Sequence, residues 1–328
     1  MKRQSNIELF RCVAMLLIVA WHWFIYTGAI EDAYSHPEKP VNWLRFALCG
    51  WGKTGINCFV LITGYFLYKA DRFHVRKIVN LLLLILFYSV LTYAVGCALG
   101  AIKLSSKGVL VAISPFSCTR GNFVPNYLLL LIVAPFINAL IAAMDRRRHL
   151  ALLFVLVALV SVSPMLKITF VSDKLAWFGT VYCIGAFMAK YPIAFFADSR
   201  RVFCLFLGVL AVALCGMISG TILSDMVGLR LTYYLLFPET RPLSLVVAMS
   251  LFLVFRNMEI PHSSLINSIG ASTFGVYLLS DGWLREYIWT KSDRFGGWGV
   301  ILVFMLCSIV DIARRGICER FMMRDKDA

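Results

Sequence analysis

Ile7 to Gly28 reads IELFRCVAMLLIVAWHWFIYTG, an apolar run broken by one arginine and one histidine. About 22 helical residues rise roughly 33 Å, enough to cross the hydrocarbon core of a bilayer. Lipid offers the backbone no water to pair with, so a helix is the form open to such a run. Similar runs recur at about 44–67, 77–99, 126–143, 149–166, 175–189, 202–222, 243–255, 268–289 and 299–315. The eighth is short. Leu231–Phe237 either extends it or dips into the membrane, because Pro238 and Pro242 break the pattern around Glu239 and Arg241. The expected fold is all-α: a polytopic transmembrane helical bundle of about ten spans, forming one domain over residues 1–328. With 15% charged residues, the chain is too poor in charge for a soluble globule.

Lysine and arginine placement gives the expected orientation. If the N terminus is inside, 18 of the 32 cations fall in inner segments, 12 in outer ones, and Arg11 and Lys53 within spans. Both termini are then cytoplasmic. No small-residue cleavage site follows the first run, so the first helix is expected to stay in the protein.

The net charge of +14 does not point to nucleic acid, because the cations sit in short loops beside spans with no basic domain or interleaved aromatic platform. The ten cysteines contain no C-x-x-C pair and read mostly as small hydrophobes; a pairing of Cys118, in an outer loop, with a partner such as Cys49 is the minor alternative. Among the five histidines, no two have metal-ligand spacing, and no metal is expected. Phosphate-binding glycine loops and the G-x-S-x-G elbow are absent from the sequence.

Ionisable groups inside the spans carry the functional signal, since such groups are costly in lipid and usually face a protein interior or a wet cavity. Arg11 and His22 are eleven residues apart, which returns them to nearly one helix face after a rise of roughly 16 Å. Glu8, Met15 and Ile18 share that stripe. A plainer reading has Glu8 neutralising Arg11 and His22 tying helices together. In the second span Lys53 and Asn57 share a face, and Gly64 follows two turns later; interhelical hydrogen bonding and snorkelling explain them equally well. Arg76 and Lys77, after the basic turn RFHVRK that includes His74, suit lipid phosphate at the cytoplasmic interface. Tyr127 opens the fourth span, which Pro135 is expected to kink. Gly96/Gly100 and Gly216/Gly220 have helix-packing spacing, and Asp281 and Arg285 are placed for an i, i+4 ion pair.

NIELFRCVAMLLIVAWHW, GINCFVLITGYFL, NYLLLLIVAPFINAL, WFGTVYCIGAFMAKY and STFGVYLL, in that order, resemble the acyltransferase-3 family of bacterial membrane O-acyltransferases. The likeness covers nearly the whole chain, and its most specific element is the arginine, ten-residue gap and histidine matched by Arg11 and His22. It implies a multi-pass protein of the bacterial cytoplasmic membrane. The implied reaction moves an acyl group, usually acetyl from acetyl-CoA, to a hydroxyl of a cell-surface polysaccharide or its lipid-linked precursor. His22 is then the catalytic histidine and Arg11 the essential arginine. No cofactor is bound permanently; acyl-CoA is the donor substrate. Many relatives end the ninth-span motif in a histidine, where this chain has Ser280 followed by Asp281.

Histidine supplies a base for a sugar hydroxyl attacking a thioester, and Asn57 or Tyr127 supplies donors for the developing oxyanion. Arg11 near the inner end of its helix is expected to engage the phosphate end of acyl-CoA, with Arg76 and Lys77 on the same basic face. The pantetheine arm then follows the Glu8, Met15, Ile18 stripe toward His22. Lys53 and Asp281 are further substrate-site candidates. A lipid-linked saccharide transporter or flippase would show the same buried ions without a covalent product, and a membrane scaffold would not depend on His22.

Overall fold

The computed structural model describes residues 3–72, 75–114, 123–168, 174–227, 230, 232 and 236–324. Cys118, His74 and most of Leu231–Phe237 lie outside the described residues. Those described form helices joined by turns, with no strand among them. Helix α1 (Ser5–Tyr26) is the central element. It contacts α2 (Ala29–Ser35), α3 (Pro40–Cys49), α4 (Thr54–Leu67), α11 (Pro242–Asn257), α12 (Ser264–Ser280), α13 (Arg285–Ser292) and α14 (Trp298–Arg324). Around these run α5 (Val75–Ala98), α6 (Ser106–Ala112), α7 (Phe123–Ala142), α8 (Arg146–Met165), α9 (Lys174–Lys190) and α10 (Ser199–Val227).

Local chemistry sets several helix starts. Asp145 accepts from the Arg148 amide at 2.7 Å at the head of α8, and Ser263 from the Ile266 amide at 3.3 Å at the head of α12. Pro40 and Pro242 occupy first-turn positions, where the missing N–H costs nothing. Helix α7 continues through Pro135. A π-helical stretch over Ala158–Val162 turns Ser161 toward the Thr240 carbonyl, a hydrogen bond of 2.5 Å that anchors the segment before α11.

Among the described residues, six stretches are long and apolar enough to cross a membrane: Ser5–Tyr26, Pro40–Leu67, Val75–Ala98, Phe123–Ala142, Arg146–Met165 and Ser199–Ser224. The sequence reading of about ten spans includes four more that fall short for identifiable reasons. Helices α9, α11 and α12 have only 17, 16 and 17 residues, and α14 carries Asp311, Arg314 and Arg315 within its apolar part. The outer helices expose large apolar side chains, among them Leu83, Phe136, Phe154, Val212 and Ile222, as a lipid-facing surface does.

Helices α1 and α12 run parallel. Ser5 bonds Asn267 at one end, and His22 bonds Ser280 at the other. Glycine permits their close approach: a Cβ on Gly270 would lie 2.5 Å from Oε2 of Glu8. Helix α14 runs antiparallel, Arg315 donating to the Ser268 carbonyl at 2.6 Å, so the start of α1 and the end of α14 share one end of the bundle. Each expected glycine pair has one member in close contact: a Cβ on Gly96 would meet Ile102 at 2.4 Å, and one on Gly220 the Thr232 hydroxyl at 3.0 Å. Gly100 has φ 68° and serves the turn after α5, and a Cβ on Gly216 would meet nothing closer than 3.8 Å. Close backbone approach also occurs at Gly64, whose missing side chain makes room for the Tyr182 backbone of α9.

Candidate active site

A cavity of about 720 Å³ opens beside α1, and its wall includes Glu8, Arg11, Met15 and Ile18 in the register of the sequence stripe. Side chains from α4, α5, α7 and α12 complete it, including Thr63, Lys77, Tyr127, Asn138 and Phe274. Arg3, Arg11, Arg72 and Lys77 place four cations toward one end. The deeper wall, with Ile18, Phe59, Ile62 and Phe123, is apolar. An anion followed by a slender apolar chain is the ligand shape this gradient suits.

Glu8 is buried and pairs with both Arg11 at 3.2 Å and Arg3 at 3.3 Å. The plain pairing of Glu8 with Arg11 therefore forms, while Arg11 stays about one-third exposed on the cavity wall. Within the cavity Tyr127 and Thr63 share a hydroxyl hydrogen bond of 2.9 Å.

His22 is buried, and its Nδ1 lies 3.1 Å from Oγ of Ser280. The rings of Tyr26, Tyr277 and Trp289 surround it at 5.9, 5.8 and 6.5 Å. Asp281 accepts from the Tyr26 hydroxyl at 2.5 Å and the Tyr277 hydroxyl at 3.2 Å. The expected pair with Arg285 does not form: past the end of α12, Arg285 turns to the Gly282 carbonyl at 3.3 Å and to Glu286 at 4.0 Å.

The cavity stops short of His22. Ile18, the last α1 residue in its wall, is four positions below, a rise of about 6 Å. Tyr277 fills the step, with its ring 5.0 Å from Phe123 of the wall and 5.8 Å from His22.

The other sequence candidates separate cleanly. Lys77 and Tyr127 line the cavity, but Arg76 is exposed and does not. Asn57 lies elsewhere, donating to the Glu239 carbonyl at 2.8 Å and Ser244 at 3.3 Å and accepting from the Trp177 indole at 2.9 Å. Both its donor hydrogens are committed to neighbouring segments, leaving none for an oxyanion. Lys53 and Lys174 flank the buried Glu239 carboxylate at 3.7 and 3.4 Å, an ion cluster that fixes the segment before α11. The sequence reading missed Arg3 and Arg72 at the cavity mouth, Thr63 beside Tyr127, and Tyr277 beside His22. Arg72 sits in the same basic turn as Arg76, and Tyr277 lies one helical turn before Asp281; Thr63 gave no sequence signal.

A bundle with an ionisable cluster on its central helix and a cavity that extends toward a buried histidine defines a helical membrane protein with a candidate enzyme site. The model of the acyltransferase-3 family, an acyltransferase domain, matches residues 4–312, and the chain belongs to that family. No curated protein and no solved structure matches the chain.

Proposed function

We propose that this membrane acyltransferase moves an acyl group, most simply acetyl, from acyl-CoA to a hydroxyl of a cell-surface polysaccharide or its lipid-linked precursor in a bacterial cytoplasmic membrane. The observation that carries the reading is the cavity beside α1 that joins four cations at its mouth to an apolar wall ending one turn below His22. In this reading the cavity mouth faces the cytosol, in keeping with the cation bias of the inner segments. The cations hold the donor's phosphates, and Arg11 supplies a planar fork suited to them. The pantetheine arm lies along Met15 and Ile18.

The acceptor comes from the opposite end, beyond His22. Its hydroxyl gives a proton to His22, its oxygen bonds to the thioester carbonyl carbon, the C–S bond breaks, and the thiolate takes the proton back. The hydroxyl of Tyr127, once its hydrogen turns from Thr63 to the substrate, is the donor this reading assigns to the developing oxyanion. The ring of Tyr277 must swing from between donor and histidine for the two to meet. Arg76, on the exposed face, is left to lipid phosphate.

The test is mass spectrometry of surface glycans and lipid-linked saccharides from cells lacking the protein, rescued with wild type or with His22→Ala at matched membrane abundance. Loss of an acyl mass that wild type alone restores is the expected result. Equal rescue by both removes His22 from the chemistry and favours transport without a covalent product.

A further inference from the structure

Oγ of Ser280 lies between two polar atoms, Nδ1 of His22 at 3.1 Å and the main-chain carbonyl of Tyr277 at 3.3 Å. The serine has one hydrogen to give. The carbonyl can only accept, and a neutral imidazole donates from one nitrogen and accepts at the other. If the serine hydrogen points to Nδ1, the carbonyl loses it and His22 must carry its own hydrogen on Nε2. If the serine hydrogen points to the carbonyl, Oγ accepts from Nδ1–H, both bonds form, and only a lone pair is left open at Nε2. The second arrangement makes two hydrogen bonds within this group where the first makes one, so it prevails.

The surroundings hold this arrangement in place. Ser280 is fully buried, and its carbonyl accepts from the indole of Trp289 at 2.9 Å. Three aromatic rings confine the imidazole. The charged groups nearby are Asp281, held by the Tyr26 and Tyr277 hydroxyls, and Arg285, 5.9 Å over the Tyr26 ring. Neither bonds to His22. A neutral hydroxyl thus occupies the orienting place that a carboxylate often takes beside a catalytic histidine.

We infer that Ser280 is a positioning residue that keeps His22 in the Nδ1–H form and presents the Nε2 lone pair as the proton acceptor of the transfer. The inference rests on the acyltransferase reading above. Nε2 takes the acceptor's proton and returns it to the departing thiolate, while Nδ1–H stays on Ser280. Neither the ring nor the serine rotates during the cycle.

The test uses full-length protein in lipid nanodiscs with ¹⁵N-labelled histidine, the His22 signal being identified by subtracting the spectrum of His22→Gln. At alkaline pH wild type is expected to carry its hydrogen on Nδ1, and Ser280→Ala to show a mixture or Nε2–H. A wild-type hydrogen on Nε2 overturns the inference, as does an unchanged tautomer in Ser280→Ala. In turnover, Ser280→Ala should lower kcat roughly 10- to 100-fold, less than the full loss of a general base, with the acyl-CoA KM held within about twofold. Ser280→Thr, which keeps the hydroxyl, should recover most of kcat. Wild-type kcat in Ser280→Ala also overturns the positioning role. The spectrum needs no turnover, so a wild type that transfers no acyl group defeats the functional reading separately from the tautomer assignment.

Discussion

Nδ1 of His22 and Oγ of Ser280 lie 3.1 Å apart although 258 positions separate them in the chain, and this contact joins the far ends of α1 and α12. At the near ends of the same helices, Gly270 lets Glu8 settle against α12, and Glu8 in turn holds Arg11 on the cavity wall. The parallel packing of two helices thus places both Arg11 and His22 of α1.

His22→Gln should abolish transfer, with kcat down on the order of 10²–10⁴-fold, the usual contribution of a general base. Donor binding should stay near wild type, because His22 is outside the cavity wall. Acyl-CoA titration by calorimetry beside a turnover assay checks both. A large loss of donor affinity would place His22 in binding.

Arg11→Lys keeps charge and loses the planar fork, so the acyl-CoA KM should rise roughly tenfold, equivalent to about 1.4 kcal/mol. Lys77→Ala should weaken donor use roughly fivefold and flatten its salt dependence. Arg76→Ala, outside the cavity, should leave both near wild type. Equal effects at Arg76 and Lys77 would argue against this cavity as the donor site.

Asn57→Ala should act on stability. It strips partners from the Trp177 indole, Ser244 and the Glu239 carbonyl, a loss of roughly 2 kcal/mol for three interhelical bonds of the size found in membranes. A lowered thermal midpoint with near-normal kcat in the folded fraction is expected. An unchanged midpoint with kcat lost would return Asn57 to the chemistry.

Gly270→Ala forces a methyl against Oε2, Cβ and the carbonyl of Glu8 at 2.5, 2.7 and 2.8 Å. Overpacking of this kind costs about 1–3 kcal/mol and should also disturb Arg11. Gly316→Ala, with nothing within 4 Å of its Cβ, is the control. Thermal midpoints and donor KM of the two variants should differ in both respects.

The contact between α2 and the start of α3 should loosen in acid. Hydrogen bonding from Arg45, then Lys39, holds the Asp32 carboxyl below its ordinary value of 3.8, and Arg230 similarly lowers Glu31. A lowered folded value means the contribution is present at neutral pH. It is lost as pH falls from about 4 through the lowered folded value. Hydrogen exchange over residues 29–49 should quicken in that window, and Asp32→Asn should remove most of the dependence.

The arrangement of Glu8, Arg11, Met15 and Ile18 was legible because 3.6-residue periodicity assigns a face before any partner is known. The same periodicity could not distinguish two polar outcomes. Arg11 and Asn57 looked alike as anomalies in apolar helices, yet one reaches a cavity and the other spends its amide on Trp177, Ser244 and Glu239. The i, i+4 spacing of Asp281 and Arg285 suggested an ion pair, but α12 ends at Ser280 and the two tyrosines claim the carboxylate.

The sequence by itself determined the all-helical membrane class, the family, and the face of α1 that carries Arg11. Hydrophobic run length and helical period are local quantities that need no partner to take effect. Only the tertiary structure decided that the cavity halts at Tyr277, that Asn57 belongs to packing, and that Ser280 faces His22. Those outcomes depend on which distant helix supplies the opposing atoms, and hydrogen bonds at about 3 Å are settled by packing across the bundle rather than by position along the chain.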